Sequence, residues 1–157
     1  SQNIKLNIVP SDLNQLIDAS IISLRPLAHD KNIKIDTDLA PLFLTEMDPI
    51  LIKEALINII ENAIKYSPSG TVIAIKTFET GQHIVTEITD QGYGISEAEL
   101  QKVGQKFFRS TSVPDSIKGS GLGLFLVKYF IELHSGKMEV VSILNQGTTV
   151  RIKLPNG

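Results

Sequence analysis

The residues best suited to chemistry lie in three short segments, and the first of these is 58 to 66. Asn58 and Asn62 lie one predicted helical turn apart, and Lys65 follows on the same edge of the helix. Because asparagine is mildly unfavourable inside a helix, the pair favours contacts with a ligand at the border of a core. Solvated surface amides are the alternative.

The second segment, Asp90-Gln91-Gly92-Tyr93-Gly94-Ile95, follows a predicted strand. Glycine allows a positive φ and lets the backbone approach a ligand closely. A carboxylate directed into an apolar pocket can accept a hydrogen bond from an exocyclic amine such as that of adenine. The alternative is that Asp90 only caps a turn with its side chain.

The third segment, Gly119-Ser120-Gly121-Leu122-Gly123-Leu124, precedes an apolar helix. Backbone N–H groups at a helix N-terminus form a site for a phosphate. Its spacing differs from the dinucleotide-binding fingerprint, since Leu124 stands three residues after Gly121, and it lacks the Gly-Lys-Ser/Thr of a P-loop. A flexible hinge is the alternative and is compatible with phosphate binding.

A fourth segment, Lys106-Phe107-Phe108-Arg109, combines an aromatic anchor with a guanidinium suited to a phosphate. Taken alone it indicates the packed base of a loop. The three histidines, His29, His83 and His134, have no metal-ligand spacing, and we assign them no chemistry. The order and spacing of the segments together predict a nucleotide site and ATP chemistry.

Composition limits the classes of protein that this chain can represent. The 157 residues, 42% hydrophobic and 20% charged, fit one globular domain, and the net charge of -2 gives no general attraction for nucleic acid. Without cysteine there is no disulfide framework or thiolate chemistry. No run approaches the ~18 apolar residues of a membrane span, so we expect a cytoplasmic location, whether or not a parent protein is membrane-anchored. The first residue is Ser1, which suggests a piece of a longer protein.

These segments must be positioned by helices and strands that the pattern also predicts. An extended arm precedes a helix capped by Ser11, and a second helix begins at Asp48-Pro49 and runs to about Tyr66. A short helix over 96 to 102 has Ser96 as N-cap and Glu99 at its third position. A mobile loop over 104 to 119 precedes an apolar helix over 122 to 133.

The remaining elements are predicted strands. Their ranges are 33 to 38 and 42 to 45 around Ala40-Pro41, the hairpin 71 to 78 with 83 to 90, and the closing hairpin 137 to 143 with 148 to 154. The order predicts an α+β fold, a two-layer α/β sandwich. Its mixed, mostly antiparallel sheet is covered on one face by three main helices.

The four segments resemble the N, G1, F and G2 boxes of the catalytic and ATP-binding domain of bacterial-type sensor histidine kinases. That domain belongs to a superfamily shared with gyrase, Hsp90 chaperones and MutL. The resemblance extends from about 11 to 155 and includes the closing segments 127 to 136 and 147 to 150. It implies the Bergerat fold, with residues 104 to 119 as the ATP lid.

The resemblance also implies a role for each matching residue. Asn62 would bind Mg²⁺, Asn58 would help to hold the phosphates or the water shell of the metal, Lys65 would contact the phosphates and Arg109 would act near the γ-phosphate. Tyr66 would face the nucleoside and Asp90 would read the adenine amino group. The rest of the implied ATP site comprises Gly92, Gly94, Ile95, Phe108, Gly119, Ser120, Gly121, Leu122, Gly123 and Leu124. The implied catalytic residues are Asn58, Lys65 and Arg109.

By the same resemblance, the chain would be the catalytic domain of a protein-histidine kinase, preceded by a linker over 1 to 10. ATPases of the superfamily place a general-base Glu where this chain has Asn58, so slow hydrolysis is expected. Glu61 is expected to point away from the Asn58 and Asn62 edge. His29-Asp30 fits only the first two letters of the phosphoacceptor motif, and we expect it to end the first helix.

The implied partners are a dimerisation and phosphoacceptor domain of the same kinase and a response regulator, with the isolated domain monomeric. Two alternatives remain: a serine-phosphorylating kinase of the anti-sigma-factor type, and a module that binds nucleotide for regulation. The sequence does not identify the sensed signal or the particular response regulator.

Overall fold

The computed structural model describes residues 4–111 and 123–157 of the chain. The elements, in chain order, are β1 (Val9–Ser11), α1 (Leu13–Asp30), β2 (Lys34–Leu39), β3 (Thr45–Met47), α2 (Pro49–Lys65), β4 (Val72–Glu79), β5 (His83–Thr89), α3 (Glu97–Leu100), α4 (Gly123–Leu133), β6 (Lys137–Ile143) and β7 (Gly147–Pro155). None of the helices in the described ranges is long and apolar enough to span a bilayer.

The main sheet has five strands in the order β2-β4-β5-β7-β6. The β2–β4 pair is parallel and the other three pairs are antiparallel, which confirms the predicted mixed, mostly antiparallel sheet. A parallel pair needs a long crossover connection, which the segment containing α2 provides. The two hairpins, β4–β5 and β6–β7, were both predicted from their turn residues.

The two predicted strands on either side of Ala40-Pro41 lie in different sheets. β2 pairs with β4, whereas β3 pairs antiparallel with β1, where Val9 lies opposite Met47. The residues between them do not form a tight hairpin turn, and the Ala40 N–H bonds the carbonyl of Thr77 on β4 instead. The extended arm before α1 therefore ends in a small two-stranded sheet.

Three helices and the inner positions of the sheet share one apolar core. Leu13 and Ile17 of α1, and Leu56 and Ile60 of α2, are at most 1% exposed. They pack with Val127, Phe130 and Ile131 of α4 and with the strand residues Ile73, Ile75, Ile88, Ile152 and Leu154. Burial of such side chains stabilises the fold by about 1.5 to 3 kcal/mol each. The core places one edge of α2 beside the ends of β5 and β7.

Helix α2 begins where its sequence predicts. Asp48 Oδ1 accepts the N–H groups of Ile50 and Leu51, and Pro49 occupies the first helical position. The other oxygen, Oδ2, accepts the Asn7 N–H at 3.0 Å. Burial alone would raise the pKa of Asp48, but these three N–H donors outweigh it and hold the pKa below its usual value.

Two other helix starts differ from the prediction. The N-cap of α1 is Asp12, which accepts the Gln15 N–H, because Ser11 belongs to β1 and pairs with Thr45. At α3, Ser96 occupies the cap position but its side chain accepts no backbone N–H. Glu99 bonds Ser110 and Thr111 instead of closing a capping box, because these donors reach it from outside the helix.

Two of the histidines lie at helix ends. His29 lies in the last turn of α1, which ends at Asp30, as predicted. His134 follows α4 and links it to α2: its Nε2 accepts the Asp48 N–H at 3.0 Å and its Nδ1 lies 2.7 Å from the Phe130 carbonyl. Both contacts are satisfied by the neutral ring with its proton on Nδ1.

Candidate functional site

A cavity of about 370 Å³ lies between α2, the ends of β5 and β7, and the start of α4. Every predicted ATP-site residue in the described part of the chain lines it, except Gly92. Those residues are Asn58, Asn62, Lys65, Tyr66, Asp90, Gly94, Ile95, Phe108, Arg109, Gly123 and Leu124. Gly119, Ser120, Gly121 and Leu122, together with the predicted lid from residue 112 onward, lie outside the described residues.

The edge of α2 forms the polar wall of the cavity. Asn58 Nδ2 donates to the backbone carbonyl of Glu54 at 3.0 Å. This bond leaves the side-chain oxygen of Asn58, Oδ1, available to a ligand. Lys65 has its ammonium nitrogen 5.6 Å from the ring centroid of Tyr66. Contrary to expectation, Glu61 also lines the cavity, because it lies only three residues from Asn58 and four from Lys65 on the helix.

Asn62 lies against the first turn of α4. A Cβ atom added at Gly123 would lie 3.3 Å from Asn62 Nδ2 and 3.4 Å from Oδ1. The absence of a side chain at Gly123 therefore lets the amide of Asn62 approach the N-terminal end of this helix. Asn62 and Gly123 both line the cavity, so the amide lies beside a helix N-terminus, which favours negative charge.

Asp90 lies where β5 ends, and its backbone N–H continues the ladder by bonding the Thr148 carbonyl at 2.8 Å. Its Oδ1 accepts the Gly92 N–H at 2.9 Å and the Thr148 N–H at 3.2 Å. Burial raises the pKa of the Asp90 carboxyl above its ordinary value, although these two N–H groups act in the opposite direction. The turn-capping alternative therefore holds for Oδ1, while Oδ2 is left to accept from a ligand.

The two glycines after Asp90 have different reasons to be glycine. Gly92 is buried, and a Cβ there would overlap the Tyr66 carbonyl oxygen, so the turn packs directly on the end of α2. Gly94 has a φ of 71°, in the left-handed region, and lines the cavity. Gly92 therefore does not line the cavity itself but packs against Tyr66, which does.

The opposite wall comes from the segment after α3. Val103, Gly104 and Gln105 line the cavity together with Phe108, Arg109 and Ser110. The Phe108 N–H bonds the Gln105 carbonyl at 3.2 Å, which folds the segment into a turn. Of the four residues predicted at this loop base, Phe108 and Arg109 therefore face the same space as Asn62, whereas Lys106 and Phe107 do not line the cavity.

Several lining residues were not predicted. They are Ile59, Ala63, Ile88, Tyr93, Val103, Gly104, Gln105, Ser110, Leu126, Thr148 and Val150, as well as Glu61. Thr148 and Val150 are two apart on predicted strand β7 and therefore share a face. This alternation could be read from the sequence. The pairing of β5 with β7, in which Ile88 lies opposite Val150, could not, and it is this register that brings the face of β7 to Asp90.

The lining of the cavity combines apolar and polar side chains. Ile59, Ala63, Ile88 and Val150 line it together with the Asp90 carboxylate, a combination that suits a flat apolar ring bearing an amino group. Asn58, Asn62, Lys65 and Arg109 supply amide oxygens and cations suited to phosphates and a hard metal ion. Within residues 4–111 and 123–157, no group of three or more His, Cys, Asp or Glu side chains is placed to hold a metal by itself.

Comparisons with known proteins point to one family. The sequence profile described as "Histidine kinase-, DNA gyrase B-, and HSP90-like ATPase" matches residues 47–157. The solved structure of the mycobacterial sensor histidine kinase MprB superposes with a TM-score of 0.86 at 32% identity, over 94% of this chain and 97% of that one.

Two curated relatives are longer proteins. Sensor protein KdpD of Clostridium acetobutylicum is 39% identical over 127 residues, which are 80% of this chain and 14% of that protein. The sensor-like histidine kinase SenX3 of Mycobacterium tuberculosis is 33% identical over 151 residues, 95% of this chain and 37% of that protein. The chain therefore corresponds to a minor part of each relative.

Proposed function

Because this chain belongs to the histidine kinase-, DNA gyrase B- and HSP90-like ATPase family, as a sensor histidine kinase catalytic domain, we propose that it binds Mg-ATP in the cavity. It transfers the γ-phosphoryl group to a histidine of a phosphoacceptor domain. The observation that carries this proposal is that the Asp90 carboxylate lines one cavity together with apolar side chains and with Asn58, Asn62 and Lys65.

Recognition of adenine follows from the different roles of the two oxygens of the Asp90 carboxylate. Backbone N–H groups hold Oδ1, so the carboxylate cannot rotate away, and Oδ2 accepts the exocyclic amino group. Guanine presents a carbonyl at the equivalent position, which would place two acceptors together. The site therefore prefers adenine over guanine.

The residues present fit a magnesium ion held jointly with the substrate. Mg²⁺ prefers oxygen ligands, keeps several waters and is commonly bound through few protein groups plus phosphates. Asn62 would supply its amide oxygen, and Asn58 would hold the phosphates or the metal's water shell. Bound there, the metal would neutralise charge on the phosphates.

Phosphotransfer rather than hydrolysis follows from the side chain at position 58. An amide cannot accept a proton from water as a general base does, so Asn58 orients ligands without activating a water molecule. Lys65 contacts the phosphates and Arg109 stabilises charge on the transferred group. The acceptor must then come from another protein surface.

The phosphoacceptor lies on a dimerisation domain of the same kinase, and the phosphoryl group passes on to a response regulator. Residues 1 to 10 are the end of a linker to that domain and 11 to 157 form the catalytic domain. His29 is unsuited as the acceptor because it lies in the last turn of α1 and outside the lining of the cavity.

The experiment supplies the cognate phosphoacceptor domain to this chain with radiolabelled ATP and magnesium. We expect label on the added domain that is lost in acid, and negligible label on this chain alone. Acid-stable label on serine would instead identify an anti-sigma-factor type of kinase. ATP binding with no phosphoprotein under any condition would identify a regulatory module.

A further inference from the structure

Glu99 of α3 makes hydrogen bonds with both of its carboxylate oxygens. Oε1 accepts the Ser110 hydroxyl at 2.9 Å and the Ser96 hydroxyl at 3.4 Å. Oε2 accepts the Thr111 N–H at 3.1 Å and the Thr111 hydroxyl at 3.3 Å. One carboxylate therefore joins a helix to a segment 11 and 12 residues further along the chain.

These bonds fix the backbone next to Arg109. On one side, the Phe108 N–H bonds the Gln105 carbonyl. On the other side, Ser110 is only 9% exposed, lines the cavity and bonds Glu99. Arg109 thus stands between two anchored residues, so the point from which its long side chain enters the cavity is set.

The bonds favour the charged form of Glu99. The Thr111 N–H is the largest influence lowering the pKa of this carboxyl, burial opposes it, and the hydroxyls of Ser110, Thr111 and Ser96 add to the lowering. Hydrogen bonds to a carboxylate are stronger than those to a neutral amide. A glutamine has one acceptor oxygen in place of two, and the hydrogen bonds to that oxygen would be to a neutral amide.

We propose that Glu99 is a positioning residue that holds Arg109 where it meets the terminal phosphate of ATP. The proposal rests on the function proposed above. Glu99 does not line the cavity itself, so it acts through the segment that carries Arg109. Its loss should reduce the preference of the site for a triphosphate over a diphosphate without a general loss of nucleotide binding.

The test measures dissociation constants of this chain for the magnesium complexes of a non-hydrolysable ATP analogue and of ADP. Glu99→Gln should lower the preference for the triphosphate about fivefold, in the range expected for the net contribution of one hydrogen bond. Ser110→Ala, which removes one hydroxyl only, should shift it less in the same direction. Glu97→Gln is the matched control, because Glu97 is an exposed residue of the same helix.

A double-mutant cycle decides whether Glu99 acts through Arg109. In the Arg109→Ala background, Glu99→Gln should cause no further loss of preference. Amide exchange of Thr111 in the nucleotide-free chain should accelerate in Glu99→Gln and not in Glu97→Gln.

Three results would each overturn the proposal. The wild-type chain could bind the ATP analogue and ADP equally tightly, or Glu99→Gln could weaken the binding of both nucleotides equally. The third is that Glu99→Gln lowers the preference for the triphosphate as much in the Arg109→Ala background as in the wild type. Because the ratio needs no phosphoacceptor, failure of phosphotransfer to histidine would leave it measurable and would count against the proposed function alone.

Discussion

At the scale of single residues, Asp90 serves both the fold and the ligand. Its Oδ1 joins the turn at Gly92 to β7 at Thr148, and its Oδ2 is left for the ligand. Asparagine at this position would keep Oδ1 as an acceptor and replace only Oδ2. Substitution of Asp90 by Asn therefore changes the contact of the side chain with the ligand and leaves the shape of the side chain almost unchanged.

We expect Asp90→Asn to weaken ATP binding by about tenfold or more, because an NH₂ donor would face the adenine amino group. Isothermal titration calorimetry measures the change. Asp36→Asn, at an exposed position on the edge strand β2, is the control. Wild-type protein that binds GTP as tightly as ATP would exclude adenine recognition by Asp90.

The same substitution should increase stability at neutral pH. Burial raises the pKa of Asp90, so the folded chain holds its proton more tightly than the unfolded chain does. The resulting cost to the folded state is absent below the unfolded pKa of about 3.9, grows as the pH rises toward the folded pKa, and is constant above it. Thermal unfolding from pH 4 to 8 should show an advantage for Asp90→Asn that appears as the pH rises. A wild type more stable than the variant at pH 7 would contradict this.

Asn62 tests the metal. We expect Asn62→Ala to weaken Mg-ATP binding by roughly 1.5 to 3 kcal/mol more than binding of metal-free ATP, since one ligand to a charged ion is lost. Titrations with magnesium and with a chelator provide the comparison. Equal losses in both conditions would assign Asn62 a packing role beside Gly123.

At the scale of elements, the start of α2 connects three parts of the chain. Asp48 accepts N–H groups from Asn7, Ile50 and Leu51, and its own N–H bonds His134 after α4. The helix whose far half lines the cavity is therefore fixed at its N-terminus to the arm and to the end of α4.

Asp48→Ala should lower the free energy of unfolding by about 1 to 2 kcal/mol at pH 7, the usual range for loss of an N-cap. Because the folded pKa of Asp48 is lowered, its stabilisation is full above the unfolded pKa and is lost as the pH falls through the folded pKa. Urea unfolding at pH 7 and near pH 3 should show the difference shrinking in acid. Asp48→Asn, which keeps an acceptor, should cost less than Asp48→Ala, and equal costs would argue against the cap.

Local signals predicted the elements well where the deciding residues were neighbours in sequence. Asp48-Pro49 marks the start of α2, and Gly81 and Gly147 mark turns of the two hairpins. Partners distant in sequence were not predictable in this way. The parallel pairing of β2 with β4 joins strands that are separated in the chain by α2, and the donors to Glu99 come from 11 and 12 residues away.

The candidate site shows the same division. Asn58, Asn62 and Asp90 were found because polar groups next to glycine or within a helix are unusual enough to suggest a ligand. Thr148 and Tyr93 gave no such signal, because a threonine in a strand and a tyrosine in a turn are ordinary. The prediction that Glu61 points away from the cavity was wrong, because a helix edge about 100° wide includes residues on both sides of Asn58.

At the scale of the whole molecule, the cavity is assembled from elements far apart in the chain. Its walls come from α2, the segment after α3, the start of α4, and the ends of β5 and β7. None of these walls retains its position when the chain unfolds. A ligand of the cavity therefore binds the folded chain and not the unfolded one.

Nucleotide should accordingly stabilise the chain by mass action. With a non-hydrolysable Mg-ATP analogue at 100 times its dissociation constant, we expect about 2.7 kcal/mol of added stability. Thermal unfolding at increasing nucleotide concentration measures it. With its affinity tenfold lower, Asp90→Asn should gain only about 1.4 kcal/mol at the same nucleotide concentration. An unfolding temperature independent of nucleotide would place the binding site elsewhere.

The position of β7 between β5 and β6 has a consequence for how the activity arises during synthesis. Both neighbours leave the ribosome before β7 does, and Asp90 must wait for Thr148, 58 residues later, to complete its hydrogen bonds. Closing so long a loop costs entropy before any contact repays it, so this pairing should come late in folding. A nascent chain can thus hold its helices and first hairpin and still be unable to bind ATP. Competence to bind ATP would then arise in one step, when β7 docks.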